Sequence, residues 1–155
     1  MLSSNNQTPE KARAYAFLLL KFRLRSQNEL KARLKQKGFS EELAVDTVNF
    51  LKDRDFIDDR VFAKNWITSR LKRSVGLKKI RLELAQKGLA SEIIAEGLAG
   101  VKEGYNEKQV ALRLAKERFL KLKGVELVKA KGRIYGYLMR RGFPSDVVND
   151  IVKAL

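Results

Sequence analysis

Residues 30–39 read LKARLKQKGF, residues 80–89 read IRLELAQKGL, and residues 134–143 read IYGYLMRRGF. Each stretch has apolar residues at its first and fifth positions. A basic residue follows at the eighth position, a glycine at the ninth and another apolar residue at the tenth. Repetition of one pattern at an interval of roughly 50 residues is typical of arrays of helical units. The sequence therefore predicts three copies of one unit.

A second shared pattern precedes each of these stretches. Its residues have helical spacing, and they are Tyr15, Ala16, Leu19, Leu20 and Arg23 in the first copy, Phe62, Ala63, Trp66, Ile67 and Arg70 in the second, and Val110, Ala111, Leu114, Ala115 and Arg118 in the third. A third apolar helix follows each glycine. We expect an all-α fold with three tandem three-helix, helix-turn-helix-like repeats in an elongated, curved array, with repeats at 9–57, 58–104 and 105–155 and a flexible N-terminus at 1–8.

Capping residues mark the ends of these helices. Thr8 can cap the first helix with Pro9 in its first turn, and Ser26 with Glu29 forms a capping box for the second. Gly38 and its equivalents, Gly88 and Gly142, are interpreted as left-handed C-terminal stops. The third copy has an insertion around Lys121 to Lys131, which is either a mobile loop or a longer first helix.

The composition excludes most chemistry. The 155 residues are 45% apolar, which suits a folded protein, and they contain no cysteine and no histidine. This removes disulfides, thiolate nucleophiles, imidazole bases and most transition-metal sites. No phosphate-binding glycine loop is present, and no signal peptide or membrane span is recognisable. We expect a cytoplasmic protein that is not an enzyme and needs no cofactor.

The chain is strongly basic, with 33 Lys and Arg against 18 Asp and Glu and a net charge of +15. The excess is concentrated in the second and third copies, since residues 1–59 hold 11 basic and 9 acidic groups, 60–104 hold 10 and 4, and 105–155 hold 12 and 5. A charge of this size indicates a polyanion or an acidic protein surface as partner.

Basic clusters recur in register with the copies. The candidate contact residues are Arg25, Lys31 and Lys35 in the first copy, Arg70, Lys72, Arg73, Lys78, Lys79 and Arg81 in the second, and Lys129, Lys131, Arg133, Arg140 and Arg141 in the third. The alternative is that such residues only form solvated helix faces. If about six of them met phosphates, the log–log salt slope of binding would be near −5.

For two other groups of residues, one acidic and one aromatic, the sequence mainly favours structural roles. Asp53, Asp55, Asp58 and Asp59 resemble a metal cluster, but they lack the spacing of a calcium loop, and Asp58 or Asp59 stands where the next helix must be capped. We interpret them as joining the first copy to the second. Tyr15, Phe62 and Trp66 are predicted core residues, whereas Tyr137 lies near the rim of its helix, where it could rest on a partner or a base.

Three stretches of this sequence are distinctive in order and spacing. They are Phe56-Ile57-Asp58-Asp59-Arg60-Val61-Phe62-Ala63, the run from Ile80 to Leu89, and Tyr137-Leu138-Met139-Arg140-Arg141-Gly142-Phe143. Together they resemble the signatures of the RecX family of bacterial RecA regulators. The resemblance implies a non-enzymatic modulator that lies in the groove of the RecA filament on DNA and mainly inhibits filament growth, ATPase, recombination and SOS activity. It also implies contact with DNA. We expect a monomer that contacts single- and double-stranded DNA through its basic surface. The alternative is a stand-alone helix-turn-helix DNA- or RNA-binding protein.

Overall fold

The computed structural model describes residues 7–101 and 103–155. Within those ranges the chain forms nine α-helices and no strand. In chain order they are α1 (Pro9–Phe22), α2 (Gln27–Lys37), α3 (Glu41–Asp53), α4 (Asp59–Lys72), α5 (Leu77–Gln86), α6 (Ser91–Ala99), α7 (Glu107–Leu120), α8 (Leu127–Arg140) and α9 (Ser145–Lys153). Three helices fall in each copy, which confirms the all-α, three-helix-repeat prediction. No helix in the described ranges is long and apolar enough to cross a membrane.

The predicted caps begin and end the helices of the first copy. The Thr8 hydroxyl accepts a hydrogen bond from the Lys11 N–H, and Pro9 occupies the first turn of α1. Ser26 and Glu29 form the complete capping box at the start of α2. Gly38 ends α2 in the left-handed conformation at φ 113°.

Residues 1–6 of the expected flexible N-terminus lie outside the described residues. Gln7 is hydrogen bonded, because its side chain donates to the Gly38 carbonyl at 2.6 Å and accepts from the Ser40 N–H at 3.0 Å. The end of α2 is thus tied to the residue just before the first cap.

The chain divides into two compact units that do not coincide with the copies. The first unit comprises Met1–Asn65 and Leu84–Ile94, and the second comprises Trp66–Glu83 and Ala95–Leu155. The first copy therefore packs with the start of α4 and the end of α5, and the third copy packs with the remainder of the middle copy. The repeat boundaries at 57/58 and 104/105 stay a prediction.

Each unit has its own apolar core, built from the stripes that the sequence pattern indicated. The core of the first unit is Ala12, Ala16, Leu19, Leu30, Leu34, Phe39, Ala44, Val48, Leu51 and Ile57. In the second unit the buried cluster is Ala111, Leu114, Ala115, Ile134, Leu138, Phe143, Val148 and Ile151. The residue after each glycine, for example Phe39 or Phe143, is buried, which explains why it is apolar in every copy.

The insertion in the third copy lengthens the second helix of that copy. α7 has 14 residues, as α1 and α4 do, so the first helix is not longer. α8 also has 14 residues, against 11 in α2 and 10 in α5. Lys129 and Lys131 therefore lie on a helix, and the connection between α7 and α8 is a short turn.

Candidate functional site

The first turn of α2 meets the glycine turn of the middle copy inside the first compact unit. The Ser26 hydroxyl donates to the Lys87 carbonyl at 2.7 Å, and the Gln27 N–H donates to Asp59 Oδ1 at 2.9 Å. A β-carbon at Gly88 would lie only 2.5 Å from Cβ of Asn28. We call this set of contacts the first joint.

The second compact unit repeats this arrangement at aligned positions. The Gly76 N–H donates to the Arg141 carbonyl at 2.7 Å, and the Leu77 N–H donates to Glu107 Oε2 at 3.2 Å. A β-carbon at Gly142 would lie 2.7 Å from the backbone nitrogen of Lys79. This second joint uses the residues that align with Ser26, Gln27, Lys87 and Asp59 of the first.

The two joints give the repeated glycines a second role. Gly88 and Gly142 have φ of 80° and 90°, which confirms the left-handed stop. Each glycine also lets the backbone of one copy touch the first turn of a helix from the copy before it, and a side chain would prevent this contact. The helix-stop interpretation was right but incomplete.

Glu29 holds two cations at the first joint. Its carboxylate lies 2.5 Å from an Arg23 guanidinium nitrogen and 3.4 Å from Lys87 Nζ. Burial alone would raise the pKa of Glu29, but hydrogen bonds from Arg23 and the Ser26 N–H, together with the charges of Arg23 and Lys87, lower it overall. Glu29 therefore stays ionised and ties α2 to the end of α5.

Asp59, a carboxylate at the same joint, has the opposite shift. Burial raises the pKa of Asp59, and the hydrogen bond from the Gln27 N–H only partly offsets that effect. Asp58 caps α4 by accepting the Arg60 N–H at 2.8 Å. Among the described residues, no group of three or more acids is arranged to hold a metal ion. The expectation of capping and joining thus has direct contacts behind it for Asp58 and Asp59. For Asp53 and Asp55 it stays a prediction.

The second and third basic clusters meet at the end of α8, within the second unit. Lys79 Nζ donates to the Arg140 carbonyl at 3.2 Å. The Arg141 guanidinium donates to the carbonyls of Arg73 and Ser74, in the turn between α4 and α5. The second and third clusters, about 60 positions apart in the chain, therefore adjoin at Arg73, Lys79, Arg140 and Arg141. We call the basic residues of these two clusters the α5–α8 basic surface: Lys72, Arg73, Lys78, Lys79, Arg81, Lys129, Lys131, Arg133, Arg140 and Arg141.

The members of this surface divide by burial and partners. Lys79 and Arg141 are half-buried and bind backbone carbonyls, so they help to build the second joint. Lys131 is also half-buried. The remaining members have exposed side chains and can reach a partner: Lys72, Arg73, Lys78, Arg81, Lys129, Arg133 and Arg140.

Arg70 is half-buried and paired with other residues of the second unit. Its Nε lies 2.8 Å from Glu83 Oε2, which also accepts the Trp66 indole N–H at 2.9 Å, and its guanidinium stacks on the Trp66 ring. Glu83 carries no signal in the repeat pattern, so sequence reasoning did not identify it as the partner that orients Arg70. Arg70 therefore has a partner within the fold, unlike the exposed members of the α5–α8 basic surface.

The predicted contact residues of the first copy lie in the other compact unit. Arg25 is half-buried, and its Nε donates to the Leu19 carbonyl at 3.5 Å. Lys31 and Lys35 lie 3.4 and 3.7 Å from the exposed carboxylate of Glu41. Such exposed pairs contribute little to stability, so both lysines can exchange Glu41 for another anion.

The aromatic residues follow only in part the prediction that Tyr15, Phe62 and Trp66 lie in the core and Tyr137 near the rim of its helix. Phe62 is buried, while Tyr15 and Trp66 are half-buried, and Tyr15 packs on Phe39 with ring centroids 6.2 Å apart. Tyr137 is half-buried as well, and the Arg118 guanidinium lies 4.7 Å from its ring centroid. The Tyr137 ring therefore supports an arginine of its own chain.

The arrangement of repeats, joints and basic residues can be compared with known proteins. Models of the first, second and third three-helix domains of RecX match residues 12–51, 58–98 and 106–152. Regulatory protein RecX of Clostridium botulinum (strain Alaska E43 / Type E3) is 32% identical over 152 residues, which cover 97% of this chain and 71% of that protein. The chain belongs to the RecX family.

Other RecX proteins agree with this assignment. Regulatory protein RecX of Mycobacterium sp. (strain KMS) is 35% identical over 149 residues, covering 92% of this chain and 80% of that protein. The crystal structure of RecX from Lactobacillus salivarius superposes with a TM-score of 0.76 at 22% identity, over 95% of this chain and 96% of that one. A second RecX crystal structure gives a TM-score of 0.78 at 21% identity, over 95% of this chain and 72% of that one. The three-helix RecX domains follow one another in tandem, and the chain is a regulatory protein of this family, not an enzyme.

Proposed function

We propose that this RecX protein binds the RecA filament on DNA and mainly inhibits filament growth, with ATP hydrolysis, recombination and SOS activity falling as a consequence. Membership of the RecX family supports RecA as the partner. The observation that carries the proposal in this chain is the α5–α8 basic surface, where two sequence-distant clusters are joined by the contacts of Lys79 and Arg141.

The α5–α8 basic surface suits a phosphate backbone. Its exposed members are lysines and arginines at the end of α4, in the turn before α5, on α5 and on α8. Cations of this kind supply sequence-independent affinity through release of counterions from DNA. We propose contact with single- and double-stranded DNA through this surface, by a monomer in the cytoplasm.

A test adds the protein in substoichiometric amounts to RecA on single-stranded DNA. ATP hydrolysis and filament length, measured on the same samples, should both fall as the amount of RecX protein rises. An unchanged rate and length at every ratio would refute the proposal.

A double variant tests whether the inhibition depends on the α5–α8 basic surface. Lys78→Glu with Arg81→Glu reverses two exposed charges without touching Lys79 or Arg141, which build the second joint. Lys52→Glu, at an exposed lysine of α3 outside the predicted contact residues, is the matched control. The double variant should lose most of the inhibition and the control should keep it. Equal inhibition by both proteins would show that this surface is only a solvated face.

A further inference from the structure

The last turn of α1 and the connection that follows it expose apolar side chains that the core does not use. Phe22 has 77% of its surface exposed, Leu18 50% and Leu24 51%. Leu18 and Phe22 are four residues apart on one helix, so their side chains are neighbours. We call these three residues the α1 apolar patch. Contiguous apolar surface of this kind on a folded domain marks a contact with another molecule.

The fold does not require apolar residues at these positions. In the alignment of the three copies, Leu18 corresponds to Asn65 and Arg113. Phe22 corresponds to Ser69 and Glu117 in the same alignment. The equivalent helices α4 and α7 thus form with polar residues on this face, so Leu18 and Phe22 serve something other than folding of the repeat.

Cations border the patch. Lys21 is exposed and lies three positions after Leu18 on α1, so these two side chains are neighbours. Arg23 is held by the Leu24 carbonyl at 2.9 Å and by Glu29, and Arg25 donates to the Leu19 carbonyl. Glu29, the acid that pairs with Arg23, is shared with Lys87. The α1 apolar patch therefore has an apolar centre and a positively charged rim.

We propose that the α1 apolar patch docks on protein, namely on an apolar cluster bordered by carboxylates. Two of its three residues are leucines, which have no aromatic face for a base, whereas base-binding sites stack bases on aromatic rings. An apolar centre with a polar rim is the composition of protein–protein interfaces. This inference rests on the proposed function and assigns the patch to the protein subunits of the filament, while the α5–α8 basic surface faces the DNA.

The test compares binding of the protein to one DNA strand in two states, free and coated with RecA. Affinity is measured for a labelled single strand alone and for the same strand coated with RecA and a non-hydrolysable ATP analogue. The variant Leu18→Asn with Phe22→Ser uses the residues of the second copy, so it should fold with an unchanged thermal transition. Its affinity for the filament should fall by roughly 30-fold, as for the loss of a hot spot, and its affinity for free DNA should not change.

A conservative control separates apolar docking from base stacking. Phe22→Leu keeps an apolar side chain but removes the ring, so it should retain filament affinity. A filament affinity of the Leu18→Asn, Phe22→Ser variant equal to that of the wild type overturns the assignment of the patch. A parallel loss of free-DNA affinity overturns it in favour of base stacking. Failure of the wild-type protein to bind filaments at all overturns the proposed function, and this inference with it.

Crosslinking gives a readout that does not depend on variant stability. With p-benzoylphenylalanine in place of Phe22, irradiation of the complex should join the chain to the filament protein. Crosslinks to the DNA strand alone contradict the proposal.

Discussion

Gly142 lies so close to Lys79 that a β-carbon on the glycine would sit 2.7 Å from the lysine backbone nitrogen and would overlap the lysine Cβ. The two residues are 63 positions apart. Gly142 also has φ of 90°, a value that side chains disfavour. Conformation and close approach thus both require glycine at this position.

Gly142→Ala should lower the free energy of unfolding by about 2–4 kcal/mol, because it adds backbone strain to a clash with rigid backbone at the second joint. Urea denaturation measures this change. The matched control is Gly132→Ala on α8, where a β-carbon meets no atom within 4 Å and the backbone is helical. The control should stabilise the protein by up to about 1 kcal/mol. Equal effects of the two substitutions would contradict the close contact at Gly142.

Glu29→Gln should destabilise the protein at neutral pH by about 1 kcal/mol, because it removes the charge that Arg23 and Lys87 share. The folded-state pKa of Glu29 is lowered, so its contribution is present above the unfolded pKa of about 4.3 and is lost as the pH falls through the folded pKa. The difference between wild type and variant should shrink below about pH 4. Denaturation curves at pH 7 and pH 3 test this.

Glu41→Gln is the control for that experiment. Glu41 pairs with Lys31 and Lys35 on the open surface, and its removal should leave the unfolding transition unchanged. A pH-independent effect of Glu29→Gln would show that its hydrogen bonds matter and its charge does not.

Asp59→Asn should have the opposite pH dependence. The folded-state pKa of Asp59 is raised, mainly by burial, so the ionised carboxylate is disfavoured in the folded protein above that pKa. The unfolding free energy of the wild type, relative to Asp59→Asn, should rise as the pH falls from 7 towards about 4. Asp59→Ala, which leaves the Gln27 N–H without its acceptor, should destabilise the protein at every pH by about 1–2 kcal/mol. Parallel pH profiles for wild type and Asp59→Asn would disprove the raised pKa.

Neutralising the exposed residues of α5 should change the salt dependence of DNA binding. Lys78→Ala and Arg81→Ala should each reduce the log–log salt slope by about 1, if each side chain meets one phosphate. Fluorescence anisotropy with a labelled single strand at several salt concentrations measures the slope. Lys52→Ala, at an exposed lysine of α3, should leave the slope as it is. A slope that both α5 variants leave intact would remove phosphate contact from this helix.

Local features of the fold were predictable because their causes are local. The Thr8 and Ser26 caps bond to residues three positions on, and the left-handed turn at Gly38 closes on Leu34 and Lys35. The conformation of the insertion in the third copy was less predictable, because this lysine-rich segment shows no periodic apolar stripe. Only the structure shows that its second half extends α8.

The candidate site was predicted residue by residue but not as a surface. The sequence marked Arg70 and Arg81 as equal members of one cluster, yet Arg70 is paired with Glu83 and Arg81 is exposed. Partners of this kind depend on which helix faces meet. The repeat pattern likewise did not single out Phe22, and only the structure shows that its side chain is exposed.

The sequence by itself determined the helices, their caps, the three copies and the family, since each depends on contacts within a turn or on a pattern that repeats along the chain. Only the tertiary structure decided the joints and the α5–α8 basic surface. Those contacts connect residues 30 to 68 positions apart, such as Leu77 with Glu107 and Arg73 with Arg141. No periodicity encodes them, because they form only when the packed cores of the copies bring these turns together.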